Sequence, residues 1–113
     1  MAHENLYDSL TYNISIKDLT SDEKKWIVEN IPTLDQEKRK MLYLLILHDY
    51  TKYHPNTKVI FPYKCKQIGN DKIEIKIDAL PIRTKRVVYK FIKLAQMSVK
   101  EQEMYTPTWQ VLL

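Results

Sequence analysis

The sequence predicts a small α+β domain with three helices and a two-stranded antiparallel hairpin between the second and third helices. Helical apolar spacing and capping signals occur between residues 19 and 53 and again after Pro81, whereas apolar and polar residues alternate between 59 and 78. The length of 113 residues suits a single core, because two halves of ~55 residues would each bury too little surface. We predict a domain over 19–100, an N-terminal arm over 1–18 and an apolar C-terminal tail over 101–113.

Composition narrows the functional classes. Apolar residues make up 44% of the chain and charged residues 28%, as expected of a folded, soluble protein. The longest apolar run, residues 41–47, falls far short of the ~20 residues that span a membrane, so no membrane partner is expected. One cysteine, Cys65, indicates a reducing, intracellular environment, either nuclear or cytoplasmic. One glycine, Gly69, excludes glycine-rich phosphate loops.

Capping signals and prolines delimit the first two helices. Thr20 and Glu23 have capping-box spacing, and Pro32 disfavours continuation of that helix. A second box at Thr33 and Gln36 predicts a longer helix that stops before Pro55, and its all-apolar run MLYLLIL must be covered from more than one side. Residues 1–18 are weakly patterned, and the alternation of Tyr12, Ile14 and Ile16 predicts a short strand or an extended arm.

The hairpin is predicted from period-two alternation. One strand carries Ile73, Ile75 and Ile77, and the preceding segment carries Val59, Phe61, Tyr63 and Cys65. The turn is Gly69-Asn70-Asp71. A three-residue loop puts the apolar faces of the two strands on the same side of the hairpin. It places Lys66 opposite Glu74, Cys65 opposite Ile75 and Tyr63 opposite Ile77. Pro62, which has no N–H, marks the first strand as an edge.

The third helix opens at Pro81 and combines an apolar stripe with a basic block. The stripe is Val88, Phe91, Ile92, Ala95 and Val99. Five cations without an acid among them lie mainly around the rest of the helix: Arg83, Lys85, Arg86, Lys90 and Lys93. Such a block is either a solvated face or a patch for nucleic acid or an acidic partner.

Catalytic and metal-binding patterns are weak. His48 and His54 lie ~240° apart around a helix and do not share a face. Cys65 falls on the dry side of the alternation, which favours a core cysteine. Asp49 and Glu74 could be imagined as an acid and a base, but any protein with 14 acids offers such pairs. We therefore expect no enzyme activity, no catalytic residue, no metal and no cofactor.

A family resemblance is strongest between residues 71 and 92. DKIEIKIDAL followed by PIRTKRVVYKFI resembles the strand and last helix of the extra-terminal (NET) domain of bromodomain and extra-terminal (BET) chromatin proteins. TSDEKKWIVENI resembles that family's first helix, and the similarity spans about residues 19–95. The matching positions of the strand exit and last helix are Asp78, Leu80, Thr84, Arg86, Val88, Phe91 and Ile92.

The resemblance implies a non-catalytic protein–protein interaction module. Members of the family bind short linear peptides that add a strand to the domain. Here this implies an adaptor, a subunit of a transcription or chromatin assembly, or a competitor for the family's clients. A large DNA virus acting in its host cell would be an unsurprising source of such a free-standing domain. The peptide site would comprise Ile73, Glu74, Ile75, Lys76, Ile77, Asp78 and Leu80.

Two departures from the family pattern bear on the partner. Lys76 stands where the family usually has an acid, which indicates a less basic or an acidic peptide. The connection from Pro55 to Asp71 is long, and its segment YKCKQI alternates as a ligand would. Residues 59–68 are thus a candidate for occupying the peptide site in cis.

Two other functional interpretations remain open. The basic third helix, with Tyr89 against a base, would suit nucleic acid binding, and such binding would weaken steeply with salt. Trp109 and the apolar C-terminus would suit self-association, and the sequence leaves the oligomeric state open.

Overall fold

The computed structural model describes residues 2–70 and 72–96, and it is a small α+β fold with four helices and a two-stranded antiparallel hairpin. Two 3-10 turns, Ile31–Thr33 and Ile77–Ala79, follow α2 and β2. The elements are α1 (Ala2–Thr11), α2 (Ser21–Asn30), α3 (Gln36–Tyr53), β1 (Lys66–Ile68), β2 (Lys72–Glu74) and α4 (Ile82–Gln96).

Ala2–Thr11 form a helix that was not predicted, so the described residues contain four helices instead of three, and no strand forms around Tyr12, Ile14 and Ile16. Tyr7 and Leu10 of α1 are 0% and 3% exposed and belong to the main core, where α1 packs against α3 and α4. Leu6, Tyr7 and Leu10 share one face of a helix, and their burial outweighs the alternating pattern that follows. Tyr12 and Ile16, which carry that alternation, are largely exposed and gain little by forming a strand.

The beginning of α2 is confirmed and that of α3 is corrected. Thr20 Oγ1 accepts from the Glu23 amide at 3.1 Å, and Glu23 Oε1 accepts from the Thr20 amide at 2.8 Å. The capping box at Thr33 and Gln36 is wrong: Asp35 caps α3 and accepts from the Lys38 amide at 2.8 Å. A carboxylate is a strong cap, and Thr33 lies in the 3-10 turn that contains Pro32.

The predicted stops and the central position of α3 are confirmed. α2 ends at Asn30, before Pro32, and α3 ends at Tyr53, before Pro55. α1 and α4 both pack against α3, so its apolar run is covered from two sides, although Leu44 within the run stays 39% exposed. Its fully buried apolar residues are Leu42, Leu45 and Ile46.

The hairpin register is confirmed, although its first strand is much shorter than predicted. Lys66 pairs with Glu74, and residues 69–71 connect the strands, which is the expected three-residue loop. The pairs of Cys65 with Ile75 and of Tyr63 with Ile77 lie beyond the observed ladder. Tyr63 and Lys64 have φ angles of 52° and 61°, which interrupt extended backbone, so Pro62 does not mark an edge strand.

The second strand also ends early, because its end turns into the core. Ile77 and Asp78, predicted as strand, lie in a 3-10 turn, and the side chains of Ile77 and Leu80 are buried. α4 follows Pro81, whose carbonyl accepts from the Lys85 amide at 2.9 Å. Val88, Phe91 and Ile92 of the predicted stripe are buried, whereas Val99 and the C-terminal tail lie outside the described residues.

Candidate functional site

The free edge of β2 offers unpaired backbone. β1 borders one side of β2, and no other described strand borders the opposite side. In an antiparallel pair every second residue turns its N–H and C=O away from its partner, so β2 presents such groups at its outer edge. Beyond the end of β2 at Glu74, the backbone of Lys76 is also extended, with φ and ψ of −95° and 108°. Residues 72–76 therefore form an edge about 16 Å long, at whose end the Lys76 carbonyl already accepts from the Ala79 amide at 3.0 Å.

A groove of about 580 Å³ lies between the end of this edge and α2. Val28, which is 60% exposed, and the half-buried Ile75 contribute apolar surface, and charged side chains surround them. The edge and the groove together form the candidate site, which we call the β2 site. The residues lining the groove are Lys24, Lys25, Val28, Glu29, Ile75, Lys76, Ile77 and Asp78.

Most predicted peptide-binding residues are accessible at the β2 site, but two are not. Ile73 is 39% exposed, and Glu74, Ile75, Lys76 and Asp78 are also at least partly exposed. The two exceptions are Ile77 and Leu80, which are 8% and 3% exposed and pack in the core. Ile77 still lines the groove, whereas Leu80 does not.

Sequence reasoning missed the contribution of α2 to the β2 site. Val28 lies off the inward face of α2 that Trp26, Ile27 and Ile31 supply, and an apolar residue outside that face was the available signal. Tertiary packing determines which side chains of the strand face α2, and local periodicity does not encode tertiary packing.

Each carboxylate at the β2 site has an intramolecular lysine partner. Asp78 pairs with Lys24 at 3.1 Å, Glu74 with Lys66 at 3.9 Å, and Glu29 with Lys25 at 3.9 Å. Lys72 and Lys76 are exposed and pair with no described carboxylate.

The basic block of α4 is largely engaged within the protein. Lys85, predicted on the outer circumference, is 6% exposed, and its Nζ lies 3.1 Å from Asp18 Oδ1. Arg86 donates to the carbonyl oxygens of residues 17 and 18 at 2.7 and 3.0 Å, and Lys90 donates to the carbonyl of residue 12 at 3.3 Å. These contacts hold the segment after α1 against α4.

Lys93 is the most accessible of the five cations, and it lies over aromatic rings. Its Nζ is 5.6 Å from the ring centroid of Trp26 and 4.9 Å from that of Tyr89. Tyr89, considered as a partner for a base, packs edge-on against Trp26 with centroids 5.3 Å apart.

Asp49 is the centre of a buried polar cluster, which we call the Asp49 cluster. Its carboxylate is 0% exposed and accepts five hydrogen bonds. Arg83 donates from Nε and Nη2 at 2.8 and 2.9 Å, and its guanidinium stacks on Tyr53 with 3.6 Å to the ring centroid. The other donors are the hydroxyls of Tyr7 at 2.5 Å, Tyr63 at 2.8 Å and Thr84 at 2.6 Å.

The Asp49 cluster is structural in character. Burial opposes ionisation of Asp49, but the hydrogen bonds, led by those of Arg83 and Thr84, outweigh it and lower the pKa of the carboxyl group. Burial and hydrogen bonding to Asp49 raise the pKa values of Tyr7 and Tyr63 above their usual 10.0. Asp49 is therefore a charged, fully paired group that joins α1, α3, the loop before β1 and α4.

In the described part of the chain, other reactive groups do not converge on a site. Cys65 is buried, as expected for a core cysteine, and burial raises the pKa of its thiol. Among residues 2–70 and 72–96, no group of three or more histidine, cysteine or acidic side chains could hold a metal ion. No helix in this part of the chain has the length and apolar character needed to cross a membrane.

Comparisons with family models, curated proteins and solved structures find no match to this chain. The resemblance to the NET domain therefore stays a prediction.

Proposed function

We propose that this protein is a non-catalytic protein–protein interaction module that captures short linear peptides by strand addition at the β2 site. The observation that carries the proposal is the free edge of residues 72–76 running into an apolar groove against α2. An unpaired edge beside an apolar groove provides both halves of peptide recognition, namely backbone hydrogen bonds and contact surface for alternate side chains.

Binding would follow the geometry of an antiparallel or parallel third strand. The peptide backbone exchanges hydrogen bonds with alternate residues of β2, and every second peptide side chain faces Ile73, Ile75 and Val28. The remaining side chains lie beside residues 72, 74 and 76. β1 already occupies the opposite side of β2, but only over residues 66–68.

β1 therefore pairs with one edge of β2 and leaves the outer edge, which belongs to the β2 site, unpaired. Residues 59–65, the other part of the segment considered as an internal ligand, contain no strand and leave the outer edge of β2 open. A partner peptide would join that outer edge without first displacing β1.

The cellular role is proposed from the resemblance to the NET domain. It places the protein in transcription or chromatin regulation as an adaptor or competitor, in the nucleus or cytoplasm, and is compatible with a viral protein acting in a host cell. The nucleic acid alternative is less favoured, because Arg83, Lys85, Arg86 and Lys90 have intramolecular partners that phosphates would have to replace.

A matched pair of substitutions tests the proposal. Val28→Asp places a charge in the apolar groove, and Ile16→Asp places one at a position that is 89% exposed and does not line it. The probe is a labelled, uncharged peptide of alternating valine and serine, titrated by fluorescence anisotropy. We expect Val28→Asp to weaken binding on the order of tenfold, since a charge in an apolar contact must be desolvated. Equal affinities for both variants would overturn the proposal.

A further inference from the structure

We infer that the peptide captured at the β2 site alternates apolar residues with acidic ones. This inference rests on the proposed function and adds the chemistry of the partner. It starts from the pairing of charges around the site, where the carboxylates already have partners and two lysines do not.

Each carboxylate at the β2 site is already paired with a lysine of the same chain. Asp78, Glu29 and Glu74 each lie within 4 Å of a lysine, at 3.1, 3.9 and 3.9 Å. A basic residue of a partner would have to compete with these existing pairs. Because each carboxylate is balanced by a lysine of the same chain, the acids at the β2 site add no net negative charge that would favour a basic peptide.

The two remaining cations occupy equivalent positions on the edge. Side chains alternate between the two faces along extended backbone, so Lys72, Glu74 and Lys76 share one face, and Ile73 and Ile75 share the other. Lys72 and Lys76 are exposed, and neither pairs with a described carboxylate. Lys76 also lines the groove, so one lysine serves both parts of the site.

This arrangement favours a peptide that has an apolar face and an acidic face. A third strand places its side chains in register with those of β2, and its apolar residues would lie beside Ile73 and Ile75. Its alternate residues would lie beside Lys72, Lys76 and the Glu74–Lys66 pair. Aspartate or glutamate at the positions next to the two lysines forms new cross-strand ion pairs, whereas lysine there meets like charge.

Three labelled peptides test the inference on the full chain. They share alternating valines and carry glutamate, serine or lysine at the intervening positions. Fluorescence anisotropy measures affinity, and NMR shift mapping locates the site. We expect the glutamate peptide to bind on the order of tenfold more tightly than the lysine peptide, with the serine peptide between them.

Charge reversal separates a local preference from the general attraction of a basic protein. Lys76→Glu should remove or reverse the preference for glutamate. Lys40→Glu, at an exposed α3 position that does not line the groove, makes the same change in net charge and should preserve it. Equal effects of the two variants would assign the preference to the net charge of +4 and overturn the inference.

The outcomes distinguish this inference from the proposed function. If the lysine peptide binds at residues 72–76 as tightly as the glutamate peptide, the inference is wrong and peptide capture stands. If none of the three peptides shifts signals between residues 72 and 78, peptide capture itself is wrong. A short DNA duplex serves as a fourth probe, and tighter binding of the duplex at this edge would overturn the inference in favour of nucleic acid.

Discussion

The Asp49 cluster and the β2 site use polar groups in opposite ways. Asp49 is fully buried and accepts five hydrogen bonds from side chains of three separate segments. The β2 edge keeps backbone groups and two lysines without described partners, and it exposes Val28 and Ile73 beside them. One region satisfies its polar groups within the chain, and the other leaves them available to a second chain.

The difference separates a structural site from a binding site. A buried charge is tolerated only when it is paired and hydrogen-bonded, so the Asp49 cluster stabilises one arrangement of its helices. An unpaired edge with exposed apolar residues adds little to folding, and it gains stability when another strand binds. Substitutions in the Asp49 cluster should therefore affect stability, and those at the β2 site should affect binding.

The largest expected effect is on stability at Asp49. Asp49→Asn removes the charge that Arg83 and three hydroxyls surround, and it should lower the free energy of unfolding by about 3–5 kcal/mol. Urea denaturation measures the change, with Asp8→Asn as the control at an exposed position. A loss of less than ~1 kcal/mol for Asp49→Asn would contradict the structural role of the cluster.

A smaller effect is expected from the contribution of α1 to the cluster. Tyr7→Phe keeps the buried ring but removes the hydroxyl that donates to Asp49, and it should cost about 1.5–3 kcal/mol. Tyr12→Phe makes the same change at a position that is 80% exposed and should cost less than ~0.5 kcal/mol. Equal stabilities in urea denaturation would show that α1 is not held by this bond.

The pH dependence of stability should also separate the two regions. The pKa of Asp49 is lowered in the folded protein, so its contribution is present above the usual carboxyl pKa of 3.8 and is lost as pH falls below that value. The stability difference between the wild type and Asp49→Asn should therefore narrow below pH 3.8. Urea midpoints measured from neutral pH downward test this, and a difference that widens in acid would contradict it.

The stability that Tyr7 and Tyr63 contribute should be lost in alkali, whereas that of Asp49 is lost in acid. The raised pKa values of Tyr7 and Tyr63 contribute stability below their usual pKa of 10.0, and this stability is lost as pH rises above that value. Tyr7→Phe should lose less stability above pH 10 than the wild type does. Urea denaturation across this range tests it, and an equal alkaline loss would show that Tyr7 does not contribute.

The smallest effect on stability is expected at the β2 site. Glu74→Gln breaks a surface pair with Lys66 at 3.9 Å, and it should change the free energy of unfolding by less than ~0.5 kcal/mol. Differential scanning calorimetry measures it against Asp49→Asn. A change above ~2 kcal/mol would show that the hairpin is part of the structural core and would remove the contrast between the regions.

The sequence predicted much of the local structure through signals that act at short range. The Thr20–Glu23 box, the stops at Pro32 and Pro55, and the three-residue loop between Ile68 and Lys72 all depend on neighbouring residues. The register followed from parity, because a one-residue slip would exchange the faces of every side chain.

The remainder depended on contacts between distant parts of the chain. Tyr63 leaves extended backbone and bonds to Asp49, which lies 14 residues away, and this ends the predicted first strand. The basic residues of α4 contact the segment after α1, which local pattern predicted as an appendage. Within the candidate site, the strand residues were predicted, whereas the contribution of Val28 required the packing of α2.

Amide hydrogen exchange in the full chain with the valine–serine peptide tests peptide capture most directly. A third strand accepts hydrogen bonds from the outward N–H groups of β2, so alternate amides between residues 72 and 76 should become protected at saturating peptide. Amides of α4 should keep their exchange rates. Unchanged exchange at residues 72–76 at saturating peptide, or new protection confined to α4, would contradict capture at this edge.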